Sequence, residues 1–269
     1  MKKIVEKELE MSHTSTTAFL QCRRRYELYK EGWKTIETSP ALVIGRAVHI
    51  GVEAWAKQEG MDEVHRKAQE EVGKEEVGEN KEMVEETVYR CLEAYNSTYK
   101  NNKLSYMSNE TPFKVPLIPG VLFTGRVDGL VEVDKEIWVL ETKTSGIASG
   151  QFWPNYDMDS QSLGYVYAMG QLMEIEVAGV LVDLISKPVR GKPAKCERRR
   201  IRVEKGMRER WLEDMRQIAL EVQRAWEEEA FYKSYQCQGR YGRCEYWEYC
   251  VSGNERRVLE LTHKQETRG

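Results

Sequence analysis

Nothing in this 269-residue sequence approaches the roughly 20 consecutive apolar residues that a membrane-spanning helix requires, so no membrane association is expected. The opening residues, Met1-Lys2-Lys3-Ile4-Val5-Glu6-Lys7, lack the apolar stretch of a secretory signal, and a cytoplasmic location is the expectation. In that reducing setting the six cysteines are expected as free thiols or metal ligands rather than disulfides. There is no internal repeat and no low-complexity linker, which argues against a solenoid or a string of small modules. A phosphate-cradling Walker loop is missing too, so no built-in nucleoside-triphosphate motor is expected. Nor is there an excess of positive charge: a formal net charge of −3 excludes a protein that coats nucleic acid by bulk attraction.

Charge is instead concentrated locally. Between residues 187 and 202 stand Lys187, Arg190, Lys192, Lys195, Arg198, Arg199, Arg200 and Arg202 against one acid, Glu197. Arg23-Arg24-Arg25 forms a second basic cluster beside Cys22. Such clusters suit contact with phosphates, or equally a solvated surface.

Hydrophobic spacing divides the chain. Residues 12–30 are predicted as one helix, capped by Thr14, Ser15 or Thr16, and residues 41–57 as another. Residues 61–99 carry an apolar stripe through Val84, Val88, Cys91, Leu92 and Tyr95, broken into two helices by Gly73 and Gly78. The period then changes to that of strands over 113–118, 121–133 and 137–142, with Asp134-Lys135-Glu136 as a turn. Residues 160–173 return to helix, 177–185 form a buried strand, and 204–230 a long amphipathic helix. Pro188 and Pro193 place the basic stretch in a loop and an edge strand. The order implies an α/β (α+β) fold with a mixed sheet flanked by helices. It reads as a single domain over 1–269, with a mainly helical portion at 11–110, a sheet core at 111–203, and a helix with a cysteine tail at 204–269.

Glu141 and Lys143 lie two apart on a strand and project to the same side. Asp128, at the end of the preceding strand, is expected alongside Glu141 in a hairpin, with Gly125 and Gly129 permitting a bend. Two converging carboxylates require a cation, and hard oxygen ligands favour Mg²⁺ or Mn²⁺. A lysine beside that metal can orient or deprotonate an attacking water while the metal polarises a phosphate. Among 44 acids and 41 bases such spacings also arise by chance, as surface ion pairs. Here, though, Val139-Leu140 start the motif inside an apolar strand.

These residues resemble the motifs of the RecB-like branch of the PD-(D/E)xK nuclease superfamily. Gly45-Arg46-Ala47-Val48-His49 resembles its glycine-to-histidine helix, which implies His49 as a metal ligand beside Asp128 and Glu141. Gly125-Arg126-Val127-Asp128-Gly129 resembles the second motif, with Val127 where the eponymous proline stands. Leu140-Glu141-Thr142-Lys143-Thr144 resembles the third. Gln161 through Tyr165 resembles the downstream glutamine–tyrosine helix, which implies that Gln161 and Tyr165 lie near DNA. The resemblance implies a restriction-endonuclease-like sheet. Glu53, on the same helix face as His49, is a weaker candidate for support through water; His13 and His65 show no partner pattern.

Cys237, Cys244 and Cys250 sit in an aromatic loop with Tyr241, Tyr246, Trp247 and Tyr249, and three clustered thiols call for a fourth, for which Cys22 is the candidate. Phe19-Leu20-Gln21-Cys22-Arg23-Arg24-Arg25-Tyr26 is similar to the cysteine helix of the iron–sulfur members, among them AddB-type subunits and the CRISPR-associated Cas exonucleases. Four thiolates suit a [4Fe–4S] cluster, with Zn²⁺ as the alternative. Such a group would staple the two ends of the chain. Cys91 and Cys196 are not expected as ligands.

The expected function is therefore a Mg²⁺- or Mn²⁺-dependent DNA exonuclease acting on single-stranded ends in recombination, repair or replication. Asp128, Glu141 and Lys143 are the catalytic set, and Arg198, Arg199 and Arg200 track the backbone. A structure-specific endonuclease, a DNA-end-binding subunit of a recombination or CRISPR-adaptation complex, and an iron–sulfur redox sensor are the rivals. Without a motor of its own, the chain would rely on a helicase or recombinase partner for unwinding. A prokaryotic or phage genome fits a compact stand-alone nuclease; oligomeric state is left open.

Overall fold

The computed structural model describes residues 8–75, 77–147, 149–156, 159–189, 191–239 and 242–266. Residues 1–7, Arg190 of the basic stretch and Tyr241 of the cysteine loop lie outside them. The N-terminal part comprises β1 (Leu9–Met11), α1 (His13–Gln21), α2 (Arg23–Lys30), β2 (Trp33–Thr35), α3 (Pro40–Ala56), α4 (Met61–Gly73) and α5 (Lys81–Tyr99). Next come β3 (Ser105–Ile118), β4 (Val121–Val133), β5 (Glu136–Ser145), the short α6 (Ser149–Phe152), α7 (Ser160–Met173), β6 (Val177–Ser186) and β7 (Lys195–Arg202). The chain closes with α8 (Lys205–Glu227), β8 (Gln238–Gly239), β9 (Gly242–Arg243), α9 (Trp247–Val251), α10 (Arg256–Thr262) and β10 (His263–Gln265). No helix among the described residues is long and apolar enough to cross a membrane.

Two compact units are built from interleaved stretches of chain. The first takes Met1–Ile36, Pro116–Thr124 and Glu213–Gly269; the second takes Glu37–Val115 and Gly125–Leu212.

In the second unit, β4 and β5 form an antiparallel hairpin closed by Asp134 and Lys135, both at positive φ, as a two-residue turn demands. Glu136 is already strand. β5 pairs in parallel with β6 through the α7 crossover, β6 pairs antiparallel with β7, and β3 lies on β4. The result is the mixed sheet expected, with β7 at an edge. The strand before the hairpin is longer than its apolar pattern suggests, starting at Ser105 rather than Phe113. Helices α3, α4 and α5 bury Val43, Val48, Val64, Val72, Val88 and Leu92 in one cluster that reaches Ile185 of the sheet. Each such side chain contributes roughly 1.5–3 kcal/mol on leaving water. α7 packs on β5 and β6.

The first unit corrects one expectation. Residues 12–30 form two helices, because Cys22 adopts an extended backbone (φ −166°, ψ 120°) between α1 and α2. The cap is Ser12, whose hydroxyl accepts from the Ser15 N–H at 3.2 Å while the Ser15 hydroxyl accepts from the Ser12 N–H at 2.8 Å. Tyr26 is buried among Phe19, Trp226 and Phe231, with ring centroids 5.2, 6.2 and 6.5 Å away. A second cluster joins Leu28, Trp33, Tyr246 and Leu259, and the Tyr246 hydroxyl donates to the Trp33 carbonyl at 2.8 Å. β2 pairs with β10, and β1 pairs in parallel with Val121–Phe123.

Candidate active site

The β4–β5 ladder runs from Val133↔Glu136 to Gly129↔Leu140, one residue short of Asp128 and Glu141. Asp128 therefore lies within β4, not at its end, at the point where the ladder stops. Its Oδ2 accepts the Thr142 N–H at 2.7 Å, so a carboxylate takes an N–H of the diverging strand. Neither Gly125 nor Gly129 has a positive φ, and both make room for close neighbours. A Cβ at Gly125 would lie 2.6 Å from the Phe113 ring, and one at Gly129 3.1 Å from the Ser108 carbonyl oxygen.

His49 arrives from α3, its Nδ1 3.4 Å from Asp128 Oδ2. On β5, Lys143 Nζ lies 2.5 Å from Glu141 Oε1 and donates to Gln161 Oε1 of α7 at 2.7 Å. Gln161 Nε2 in turn donates to the Tyr165 hydroxyl at 2.8 Å. The Tyr165 ring meets Phe113 edge to face at 5.5 Å. All six side chains belong to the second unit: His49 meets Asp128, while Glu141, Lys143, Gln161 and Tyr165 form a chain of polar contacts from the sheet to α7.

Burial and charge act against each other here. Burial pushes the Glu141 carboxyl up, and the Asp128 charge adds to it against Lys143, leaving it at about 7. Burial would lower His49, but the adjoining Asp128 carboxylate outweighs it and holds the imidazole at about 9. Burial raises Asp128, yet His49 and the Thr142 N–H bring it below its ordinary value. Lys143 is desolvated as well, but Glu141 keeps it well above the usual lysine range and therefore charged.

As placed, no three His, Cys, Asp or Glu side chains among the described residues are grouped to hold a metal ion. The donor set nonetheless suits a hard divalent cation. Glu141 Oε2 is buried without a hydrogen-bond partner, a condition that costs a charged group more than the ~1–3 kcal/mol of a neutral one. A cation held by His49, Asp128 and Glu141 would satisfy that oxygen.

Several neighbours of the site are not marked by any motif. Glu110, at φ 46° within β3, lines a cavity with His49, Glu53, Tyr106, Asn109 and Asp128. Its segment is polar and lacks a strand period. Glu53 does share this cavity, but its carboxylate is taken by Lys57 at 2.5 Å. Tyr156 and Asp159 act on the Lys143 charge, and Asp159 caps α7. Asp159 is the legible one, as an acid just ahead of a helical pattern. His65 is no lone surface residue: it bonds Glu93 at 2.7 Å and stacks on Tyr89.

Of the three arginines proposed along the DNA, Arg198 is engaged elsewhere. Its guanidinium grips Asp183, which is fully buried, through two hydrogen bonds of 2.6 and 2.7 Å. Arg199 stacks 4.4 Å over Trp153 and pairs with Glu197, and Arg200 pairs with Asp134, both on the exposed strand β7.

Cys22, Cys237, Cys244 and Cys250 all belong to the first unit. The Cys244 N–H donates to the Cys237 carbonyl at 2.8 Å, and burial raises the Cys250 thiol, against Lys233 and with smaller contributions from Cys22 and Cys237. Burial alone would raise Cys22, but the N–H groups of Ser234, Arg25 and Arg24 facing its sulfur lower it and favour thiolate. Burial raises Cys244 to about 11. As placed, no three of these thiols are grouped to hold a metal ion. Cys91 is buried and Cys196 packs against the same apolar cluster of the second unit.

No curated protein matches this sequence. A crystal structure of a candidate exonuclease from Eubacterium rectale superposes with a TM-score of 0.52 at 17% identity, covering 91% of this chain and 88% of its own. SSO0001 covers 78% of this chain and 76% of its own at 14% identity, with a TM-score of 0.33, too low to bear on the fold. A family model matches over residues 10–251, a span that holds His49, Asp128, Glu141, Lys143 and all four clustered cysteines. By that match, the chain belongs to the PD-(D/E)XK nuclease superfamily.

Proposed function

We propose that this protein is a Mg²⁺- or Mn²⁺-dependent deoxyribonuclease that hydrolyses phosphodiester bonds from the ends of single-stranded DNA. The single observation that carries this reading is the buried, unpartnered Oε2 of Glu141 beside a charged lysine and a second carboxylate. His49, Asp128 and Glu141 would hold the cation, which when bound polarises the scissile phosphate and lowers the pKa of the attacking water. Lys143, gripped by Glu141 and Gln161 and held protonated, is suited to orient that water and to offset charge on the phosphate rather than to take a proton. Gln161 and Tyr165 carry the same polar chain toward the DNA. Arg199 and Arg200, in exposed pairs that are worth little, would exchange their acids for phosphates. Arg198 instead anchors the strand that presents them. The exonuclease label of the Eubacterium rectale structure supports action at ends.

On this reading the whole chain works as one nuclease, intracellular, with DNA as its substrate and unwinding supplied by a helicase or recombinase partner. The four cysteines of the first unit would hold a structural [4Fe–4S] cluster, or Zn²⁺ in its place. Purified protein with Mn²⁺ is expected to degrade a labelled linear single strand and to spare a circular one. Lys143→Ala is expected to lower the rate by at least about 10²-fold while the protein stays folded by circular dichroism. Cutting of the circle would move the activity to an endonuclease. Undiminished cleavage by Lys143→Ala would remove the lysine from the mechanism.

A further inference from the structure

Two openings in the second unit lie side by side and share Ala56 and Tyr106 as a common wall. The first is the cavity of His49, Glu53, Glu110 and Asp128. The second is an open cleft lined by Trp55, Gln58, Lys103, Leu104 and Ser105 besides the shared wall. Their charges are opposite in kind. Three carboxylates and the His49 imidazole face the first, whereas Lys103 is, among the described residues, the one ionised side chain lining the second. The Lys103 ammonium stands 5.8 Å from the centroid of the Trp55 ring and is in no ion pair among the described residues. Trp55 is itself fixed, 7% exposed and donating from Nε1 to Asn96 Oδ1 at 3.0 Å.

A DNA strand is a row of phosphates, so whatever seats one of them at the metal ligands must also place its neighbour. In the first cavity Glu53 is paired with Lys57, Glu110 with Arg126 and Asp128 with His49, so that cavity offers a second phosphate no unengaged cation among the described residues. The adjoining cleft offers a cation over a rigid aromatic floor, with the hydroxyl of Ser105 and the amide of Gln58 beside it. Resting on the nuclease reading above, we infer that the Lys103 cleft is a subsite for the backbone phosphate next to the scissile one. Contact there is electrostatic and blind to the base, as a non-specific nuclease requires.

The test compares wild type, Lys103→Met and Lys103→Arg, with Mn²⁺, on a labelled oligothymidylate and on the p-nitrophenyl ester of thymidine 5′-phosphate. The ester has a scissile phosphodiester and no neighbouring phosphate. Lys103→Met is expected to raise KM for the oligonucleotide about tenfold with kcat little changed, and to flatten the dependence of log KM on log salt by about 0.7. The same variant is expected to leave the ester unaffected, and Lys103→Arg to restore oligonucleotide binding. A methylphosphonate in place of the neighbouring phosphate is expected to penalise wild type and to add nothing to the Lys103→Met loss. Unchanged KM and salt slope in Lys103→Met, or equal losses on both substrates, would overturn the subsite while leaving the nuclease standing. A wild type inert toward both substrates would overturn the nuclease reading and the subsite with it.

Discussion

His49 and Glu141 both bind a proton more tightly in the folded protein than in the unfolded chain. His49 moves from 6.5 to about 9 and Glu141 from 4.5 to about 7. In protein stripped of divalent cations, the folded state therefore holds the extra protons and stability falls as pH rises. The His49 share is complete below 6.5 and gone above about 9; the Glu141 share is complete below 4.5 and gone above about 7. Asp128, lowered instead, acts only in acid, around and below its ordinary 3.8. Urea midpoints measured in EDTA are expected to decline from about pH 5 to about pH 9. Glu141→Gln should flatten the acid half of that decline and His49→Gln the alkaline half; parallel curves for all three proteins would refute the assignment. These residues are legible in sequence because the chemistry fixes their offsets: Glu141 and Lys143 share a strand face, and His49 and Asp128 each sit in a motif of recognisable shape. The partner of Arg198 is not legible. Asp183 lies 15 residues away and reads as one more position in an apolar strand.

At the scale of elements, that pair ties three pieces together. Asp183 of β6 faces Arg198 of β7 in register and accepts the Tyr95 hydroxyl of α5 at 2.7 Å, so it links the sheet to the helical layer. Arg198 also lies 4.0 Å over the Tyr99 ring. Removing one partner of a buried ion pair strands the other charge, whereas replacing both with apolar groups does not. Arg198→Met is thus expected to cost about 3–5 kcal/mol in urea unfolding, and Asp183→Leu with Arg198→Met to recover most of the loss. A double variant as unstable as the single one would show that packing, not the stranded carboxylate, sets the cost. Where elements follow a clean apolar period they are legible to the residue, as for β4 and α7. The first half of β3 is not, since Ser105-Tyr106-Met107-Ser108-Asn109-Glu110 alternates no apolar face and owes its strand to pairing with β4. The break at Cys22 is invisible for another reason: no glycine or proline marks it, and it shows only as the extended backbone of Cys22 ahead of the N–H groups of α2.

The whole molecule interleaves its two units, and no local pattern announces this. Residues 116–124 cross into the first unit in the middle of a β meander, and α8 is shared between the two at residues 212 and 213. The first unit is therefore assembled from three separated stretches of chain, and Cys22 and Cys237 lie in the two outermost. Closing so long a loop is entropically costly, and a metal group binding all four thiols would supply compensation present only in the folded state. Anaerobically purified protein is expected to contain iron and to absorb near ~400 nm, and Cys250→Ser to lose both. The loss should also be local. In hydrogen exchange, amides of α2 and α9 are expected to lose protection in Cys250→Ser, while α4 and α5, whose cluster contains none of these thiols, keep theirs. Zinc without iron would keep the staple and change its chemistry. Unaltered protection of α2 and α9 would mean that the apolar clusters around Tyr26 and Trp33 hold the first unit together unaided.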